Sequence, residues 1–269
     1  MEESVILEQA DGVAVLTLNR PDRFNAFDAD MVRLLARSLT ALSGDPGITG
    51  VVITGKERAF CAGGDLRWVA GCGRPYGAVF HELAAHYHQA IVEIRRMPKP
   101  VVAAVNGLAA GGGFSMALAC DFRVMAASAV LLQAYTSNGL SIDGGGTFTL
   151  PRLVGLAKAL EIVAFDRPIA PEQALSWGLV TEVAADGTCV ERAVGMIREM
   201  TAGSLNSFAA AKRLMTDSFH SPFEVQLENE RQFLSMCGDH ADGREGIAAF
   251  LEKRRPVYGK SDKGESIPE

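Results

Sequence analysis

The chain lacks the cysteine pattern of a stapled or zinc-bound protein. Its five cysteines, Cys61, Cys72, Cys120, Cys189 and Cys237, are odd in number and scattered, and no Cys-x-x-Cys pair occurs. Neither a disulfide framework nor a zinc site is expected. A basic surplus is missing too: 26 Lys and Arg stand against 32 Asp and Glu, a net charge of -6. That balance offers no field for nucleic acid, although a phosphorylated small ligand needs only a few local cations. No uninterrupted apolar run approaches the roughly 18 residues that cross a membrane. The acidic start, Met1-Glu2-Glu3-Ser4, has no signal-peptide pattern. The expectation is a cytoplasmic protein with no metal, membrane or nucleic-acid partner. Two nucleotide-binding signatures are also absent. No G-x-G-x-x-G follows the first strands, and no Gly-Lys-Ser/Thr follows the two glycine-rich stretches described below.

What is present is enough apolar material for one large core, 48% of 269 residues. Val5–Gln9 and Val13–Leu18 flank Asp11-Gly12, a hairpin signal. Asp28 can cap a helix running to about Leu42, whose Met31, Leu34, Leu35, Leu39 and Leu42 form one apolar stripe. Gly50–Gly55, Val101–Val105, Phe122–Ala126 and Leu179–Val183 read as strands. A helix is expected over His81–Arg95, ended by Pro98 and Pro100, and another from Pro171 to Gly178. Strands alternating with helices indicate an α/β core with crossover connections. From about Ser204 the pattern is helical, with candidates at Leu205–Asp217, Pro222–Cys237 and Arg244–Lys253. The polar end, Gly259–Glu269, is expected to fray.

Two glycine-rich stretches carry most of the functional information. They are Phe60-Cys61-Ala62-Gly63-Gly64-Asp65-Leu66 and Asn106-Gly107-Leu108-Ala109-Ala110-Gly111-Gly112-Gly113-Phe114-Ser115. Each follows an apolar strand-like run and leads into a helix-like one. Alone, either reads as a tight turn. Together they offer two backbone N–H groups at helix starts, where negative charge is favoured. Aimed at one point, such donors would hold a carbonyl oxygen as it becomes an enolate or oxyanion.

The two stretches resemble the oxyanion-hole signatures of the crotonase superfamily, the enoyl-CoA hydratase/isomerase group. Other motifs along nearly the whole chain agree. They include Asn19-Arg20-Pro21 with Asn25-Ala26, Lys99–Gly107, Asp143–Thr147 with Leu150–Gly155, Trp177–Val180 and Phe250–Pro256. The resemblance implies a spiral of ββα turns, an α/β fold, with residues 1–203 as a core holding an acyl-CoA site. It implies that residues 204–269 form a C-terminal helical region used in trimerisation, as a homotrimer or dimer of trimers. It implies a coenzyme A thioester as substrate, with no separate cofactor. The oxyanion donors fall on Gly64 and Gly112, and Ala62, Gly63, Gly64, Asp65 and Leu66 would line the CoA channel. Arg23, and Lys253 or Arg254 from a neighbouring subunit, are candidate partners of the CoA phosphates; solvated surface charge is the alternative for each.

The sequence departs from the family's hydratases at their two glutamates. Ser115 and Tyr135 stand at those positions. A serine is no carboxylate base without an activating partner, so a two-glutamate hydration mechanism is not expected. Asp143 is the replacement candidate, since isomerase, synthase and dehalogenase branches carry an aspartate there; capping the helix that begins near Gly145 is its alternative role. Isomerisation like that of the phenylacetate-type branch is favoured. Tyr135 would hydrogen-bond Asp143 or orient the acyl group, or simply be a half-buried strand aromatic. His88 falls near the place where the dehalogenase branch puts its catalytic histidine, or is an exposed helix residue. His81-Glu82 with His86 has a spacing of five rather than four, so the imidazoles diverge and no metal is expected there.

Overall fold

A computed structural model describes residues 3–259. The expected hairpin forms from β1 (Val5–Ala10) and β2 (Val13–Leu18), paired antiparallel around Asp11-Gly12. Helix α1 (Ala29–Gly44) starts where the Asp28 side chain accepts the Met31 N–H. Then β3 (Gly50–Gly55), buried throughout, pairs parallel with β2. The chain next makes the short strand β4 (Ala59–Cys61), followed by α2 (Leu66–Gly71) and α3 (Tyr76–Arg96). Helix α3 begins five residues before the expected His81, just after Pro75, whose fixed φ suits a helix start.

The order repeats with β5 (Val101–Val105), β6 (Leu108–Ala110) and α4 (Gly112–Ala119). It starts again with β7 (Phe122–Ala126) and β8 (Val130–Leu132), then α5 (Gly146–Val154) and α6 (Leu156–Phe165). In each round one strand joins the large sheet and the next joins the small one. The large sheet runs β1-β2-β3-β5-β7 and ends on β9 (Glu182–Ala184), which follows α7 (Pro171–Ser176). The small one is β4-β6-β8, all parallel. Repeated passage between two sheets is the spiral of ββα turns that the resemblance implies.

Strand β9 corrects one expectation, Leu179–Val183. The Leu179 and Val180 N–H groups instead turn back onto the Ala174 carbonyl, at 2.8 and 3.3 Å. They close the end of α7, and ladder pairing begins only at Glu182.

Helix α8 (Cys189–Thr201) then covers the large sheet, with Ala193 and Ile197 buried against it. Helices α9 (Leu205–Ser218), α10 (Phe223–Asp239) and α11 (Ala241–Leu251) complete the described chain. Lys212 anchors α9: its Nζ donates to Asp121 Oδ2 at 2.7 Å and to the carbonyls of Ile94 and Lys99. Large apolar side chains on these helices face outward, Phe223, Leu234 and Phe250 among them. Residues 260–269, most of the segment expected to fray, lie outside the described residues.

Candidate active site

The two glycine stretches pack directly on each other. Gly63 (φ 86°) lies so close that a methyl group on it would stand 2.8 Å from the Gly112 nitrogen. Gly111, at φ 53° and ψ -123°, adopts a backbone open to glycine alone and turns the chain into α4. Gly112 is then the first residue of that helix, and its N–H has no intrahelical acceptor. On the other stretch the Phe27 N–H donates to Gly63 O and the Asp65 N–H to Phe27 O. The Gly64 N–H between them stands outside that pairing.

Both glycines line one cavity of about 430 Å³. Its wall is mainly apolar, from Phe27, Leu66, Phe80, Leu83, Ala84 and Leu140, and it includes Tyr135 and Asp143. Chain segments more than 100 residues apart in sequence thus converge on one space, as the motif reading requires.

Asp143 is not a helix cap. Gly145 occupies that place with φ 75°, and the Asp143 side chain turns instead to Tyr135, whose hydroxyl donates to Asp143 Oδ1. Burial raises the Asp143 carboxyl above the ordinary aspartate value, while the Tyr135 hydrogen bond pulls it back down. Tyr135 sits before a 3-10 turn (Thr136–Asn138), not in a strand, and is buried. Burial and then the neighbouring Asp143 carboxylate push its phenol up, so it remains a donor. Ser115 lies beneath, buried on α4, and its hydroxyl draws the same phenol back down in part. Ser115 and Tyr135 therefore do not present carboxylates; they support one.

His88, half-exposed on α3, stands 3.8 Å from Asp143 Oδ2 by its Nε2. That nitrogen accepts the Gly144 N–H at 3.2 Å. Its ring faces a neighbouring groove with Arg33 and Arg37 and is not part of the cavity wall described above.

The remaining expected residues divide. Ala62, Gly63 and Leu66 line the cavity with Gly64. Asp65 does not: its Oδ1 caps α2 through the Arg67 and Trp68 N–H groups, both at 3.1 Å, and its Oδ2 meets Arg20 at 3.0 Å. Asp65 is buried there because an unpaired N-terminus of α2 needs its oxygen. Arg23 and Lys253 are exposed cations outside the cavity wall. Arg254 is engaged by Glu245 and Glu252. No group of three potential metal ligands occurs among the described residues, His81, Glu82 and His86 included.

Tyr87, Phe27 and Arg20 carry roles that sequence reasoning missed. Tyr87 is fully buried and donates its hydroxyl to Gly112 O at 2.5 Å, and its ring stacks on Phe27 at 4.6 Å. Arg20 joins Asp28 at 3.1 Å to Asp65 and also donates to the Ala26 carbonyl. Arg20 belongs to the Asn19-Arg20-Pro21 motif, which was the available signal. A tyrosine inside an apolar helix stripe gave none. Cys61, below the glycine turn, is pushed up to about 12 by burial and is no nucleophile.

The chain is similar to known proteins along nearly its whole length. Residues 8–261 match the profile of the enoyl-CoA hydratase/isomerase family. The chain is 35% identical to 1,2-epoxyphenylacetyl-CoA isomerase of Escherichia coli strain K12, over 96% of this chain and 99% of that one. It is 31% identical to 4-chlorobenzoyl coenzyme A dehalogenase-2 of an Arthrobacter species, over 94% and 92%. The crystal structure of an enoyl-CoA hydratase from Polaromonas sp. JS666 superposes with a TM-score of 0.90 at 37% identity, covering 95% of this chain and 99% of that one.

Proposed function

The chain belongs to the enoyl-CoA hydratase/isomerase family, and we propose that within it the protein is an isomerase that shifts a double bond in an acyl-CoA thioester. The observation that carries this reading is a single carboxylate, Asp143, on the same cavity wall as the Gly64 and Gly112 donors. The thioester oxygen sits between those two N–H groups. Each contributes roughly 3–4 kcal/mol when charge develops on that oxygen. The thioester is thereby acidified at the carbons conjugated with it. Asp143 takes a proton from one such carbon, the electron pair delocalises into the dienolate, and the same proton returns at another carbon. One carboxylate suffices for that shuttle, whereas hydration also needs a positioned water. A carboxyl raised by burial is a stronger base for the task.

The CoA moiety enters as part of the substrate. The backbone of Ala62–Leu66 runs beside it, and Arg23 and Lys253 are the cations nearest in motif to its phosphates. The outward apolar side chains of α9–α11 support assembly as a homotrimer or dimer of trimers.

The test is Asp143→Asn against a panel of 2- and 3-enoyl-CoA thioesters in deuterated water. Loss of turnover and of deuterium exchange at carbon is expected. Near-parental turnover in the variant would sink the assignment. A second reading has one observation in its favour, the 3.8 Å approach of His88 to Asp143. In it, Asp143 attacks the halogen-bearing ring carbon of a haloaromatic acyl-CoA and displaces halide, and water, activated by His88, then hydrolyses the ester to return the Asp143 carboxylate and release the hydroxyaryl-CoA. A covalent adduct trapped on Asp143 would select that chemistry. Binding of the thioesters without turnover would point to a noncatalytic relative.

A further inference from the structure

We propose that His88 is a positioning residue, acting only as a neutral imidazole that holds the Gly144 peptide and thereby fixes the direction of the Asp143 carboxylate. The inference rests on the Asp143 reading for its catalytic consequence, but the hold on Gly144 does not.

The geometry is specific. Gly144 follows Asp143 and has φ 61°, a conformation reserved for residues that tolerate the left-handed region. Two consecutive residues of α3 enforce it. Tyr87 presses against Gly144 so closely that a methyl group there would lie 2.4 Å from the tyrosine ring. His88 Nε2 accepts the Gly144 N–H at 3.2 Å. Tyr135 holds Oδ1 of the same carboxylate from the other side. Asp143 is thus set by its own side chain and by the next peptide. Through the Tyr87 hydroxyl on Gly112 O, α3 also holds the start of α4, where the oxyanion donor lies. One helix therefore spaces the donor against the carboxylate.

An Nε2 that accepts a hydrogen bond carries its ring proton on Nδ1. Its lone pair is then committed to Gly144 and is not free to take a proton from water. Protonating Nε2 would abolish the acceptor and turn the 3.8 Å approach to Asp143 into an ion pair, releasing Gly144 and quenching the carboxylate as a base. The imidazole meets Asp143 from the loop before α5 and the Tyr87 ring beside it on α3, and the groove it lines also holds Arg33 and Arg37 of α1 and His86 and Glu93 of α3.

The experiment compares the parent with His88→Ala and His88→Gln, each labelled with 15N-glycine. In the parent, the Gly144 amide signal is expected to titrate as the imidazole gains a proton. In His88→Gln, whose carbonyl accepts but cannot protonate, the signal is expected to stay in place across the same pH range. In His88→Ala, amide exchange at Gly144 is expected to speed up. Turnover of 3-enoyl-CoA is expected to fall roughly tenfold to a hundredfold in the alanine variant, with KM little changed, because a small misplacement near the chemistry costs that much. Glutamine is expected to restore most of it. A Gly144 amide indifferent to His88→Ala would overturn the proposal. So would a glutamine variant as impaired as the alanine one with Gly144 still held, since that result assigns the imidazole a proton-transfer role. Retained turnover in Asp143→Asn would instead defeat the isomerase reading and leave the amide result standing.

Discussion

Replacing Tyr135 by Phe isolates the hydrogen bond that the phenol donates to Asp143 Oδ1. The phenol stays protonated across the working range, since burial and the adjacent carboxylate both push it upward. It therefore stabilises the charged form of Asp143, and its removal must raise the carboxyl further. A hydrogen bond to a charged group contributes about 1.5–3 kcal/mol, and about 1.4 kcal/mol corresponds to one pH unit. The Asp143 side chain is 33% exposed, so water replaces part of the lost donor. The expected displacement is about one pH unit, upward. Ring packing is retained, so the fold is not at issue. The assay is a 13C titration of the Asp143 side-chain carboxyl in both proteins, joined to the pH dependence of kcat/KM. The acid limb of the rate profile should move up with the carboxyl, because the base must be ionised to act. An unmoved carboxyl, or one that moved down, would refute the reasoning about what the phenol does.

The same balance bears on stability. Asp143 has its folded value raised above 3.8 by burial, so the fold favours the protonated form and loses stability as pH rises through that raised value. Asp143→Asn should then melt higher than the parent at pH 7, by about 0.5 kcal/mol given the partial exposure, with the difference vanishing as pH falls below 3.8; an advantage that grew on acidification would contradict this. The two glycines proposed as oxyanion donors should differ on substitution. A methyl at Gly112 meets Phe27 at 2.6 Å, whereas at Gly64 the nearest atoms are 3.7 Å away; urea unfolding should show Gly112→Ala losing about 1–3 kcal/mol and Gly64→Ala close to none. Lys212→Met leaves Asp121 buried without its cation, and denaturant melts should report a loss of about 3 kcal/mol; a neutral result would mean that α9 is not anchored there.

How much of this was legible in the sequence follows from how each part is specified. The large-sheet strands were readable because runs such as Gly50–Gly55 and Val101–Val105 are buried along their whole length and so are continuously apolar. The small sheet was not. Strands Ala59–Cys61, Leu108–Ala110 and Val130–Leu132 are three residues each, too short to show a period; the first overlaps and the second lies inside the stretches read as turns. The site divides the same way. Close approach at Gly63 and Gly112 and a left-handed φ at Gly63 and Gly111 exclude side chains, so these glycines leave a visible mark in the chain, whereas Gly64 has room for a methyl. Asp143 was reached by its place in a motif, and its alternative as a cap failed because Gly145 supplies the left-handed turn instead. Tyr87 and Phe27 left no mark, because their work is done by where a buried ring lands after distant segments pair. A tyrosine in an apolar stripe looks the same whether its hydroxyl holds Gly112 or merely faces the end of a strand. The parts of this site proposed to contact the reacting group demand unusual residues, whereas the parts that hold them in register are ordinary core residues. The supporting layer, Tyr87, His88 and Arg20 included, is therefore where substitutions should separate activity from stability.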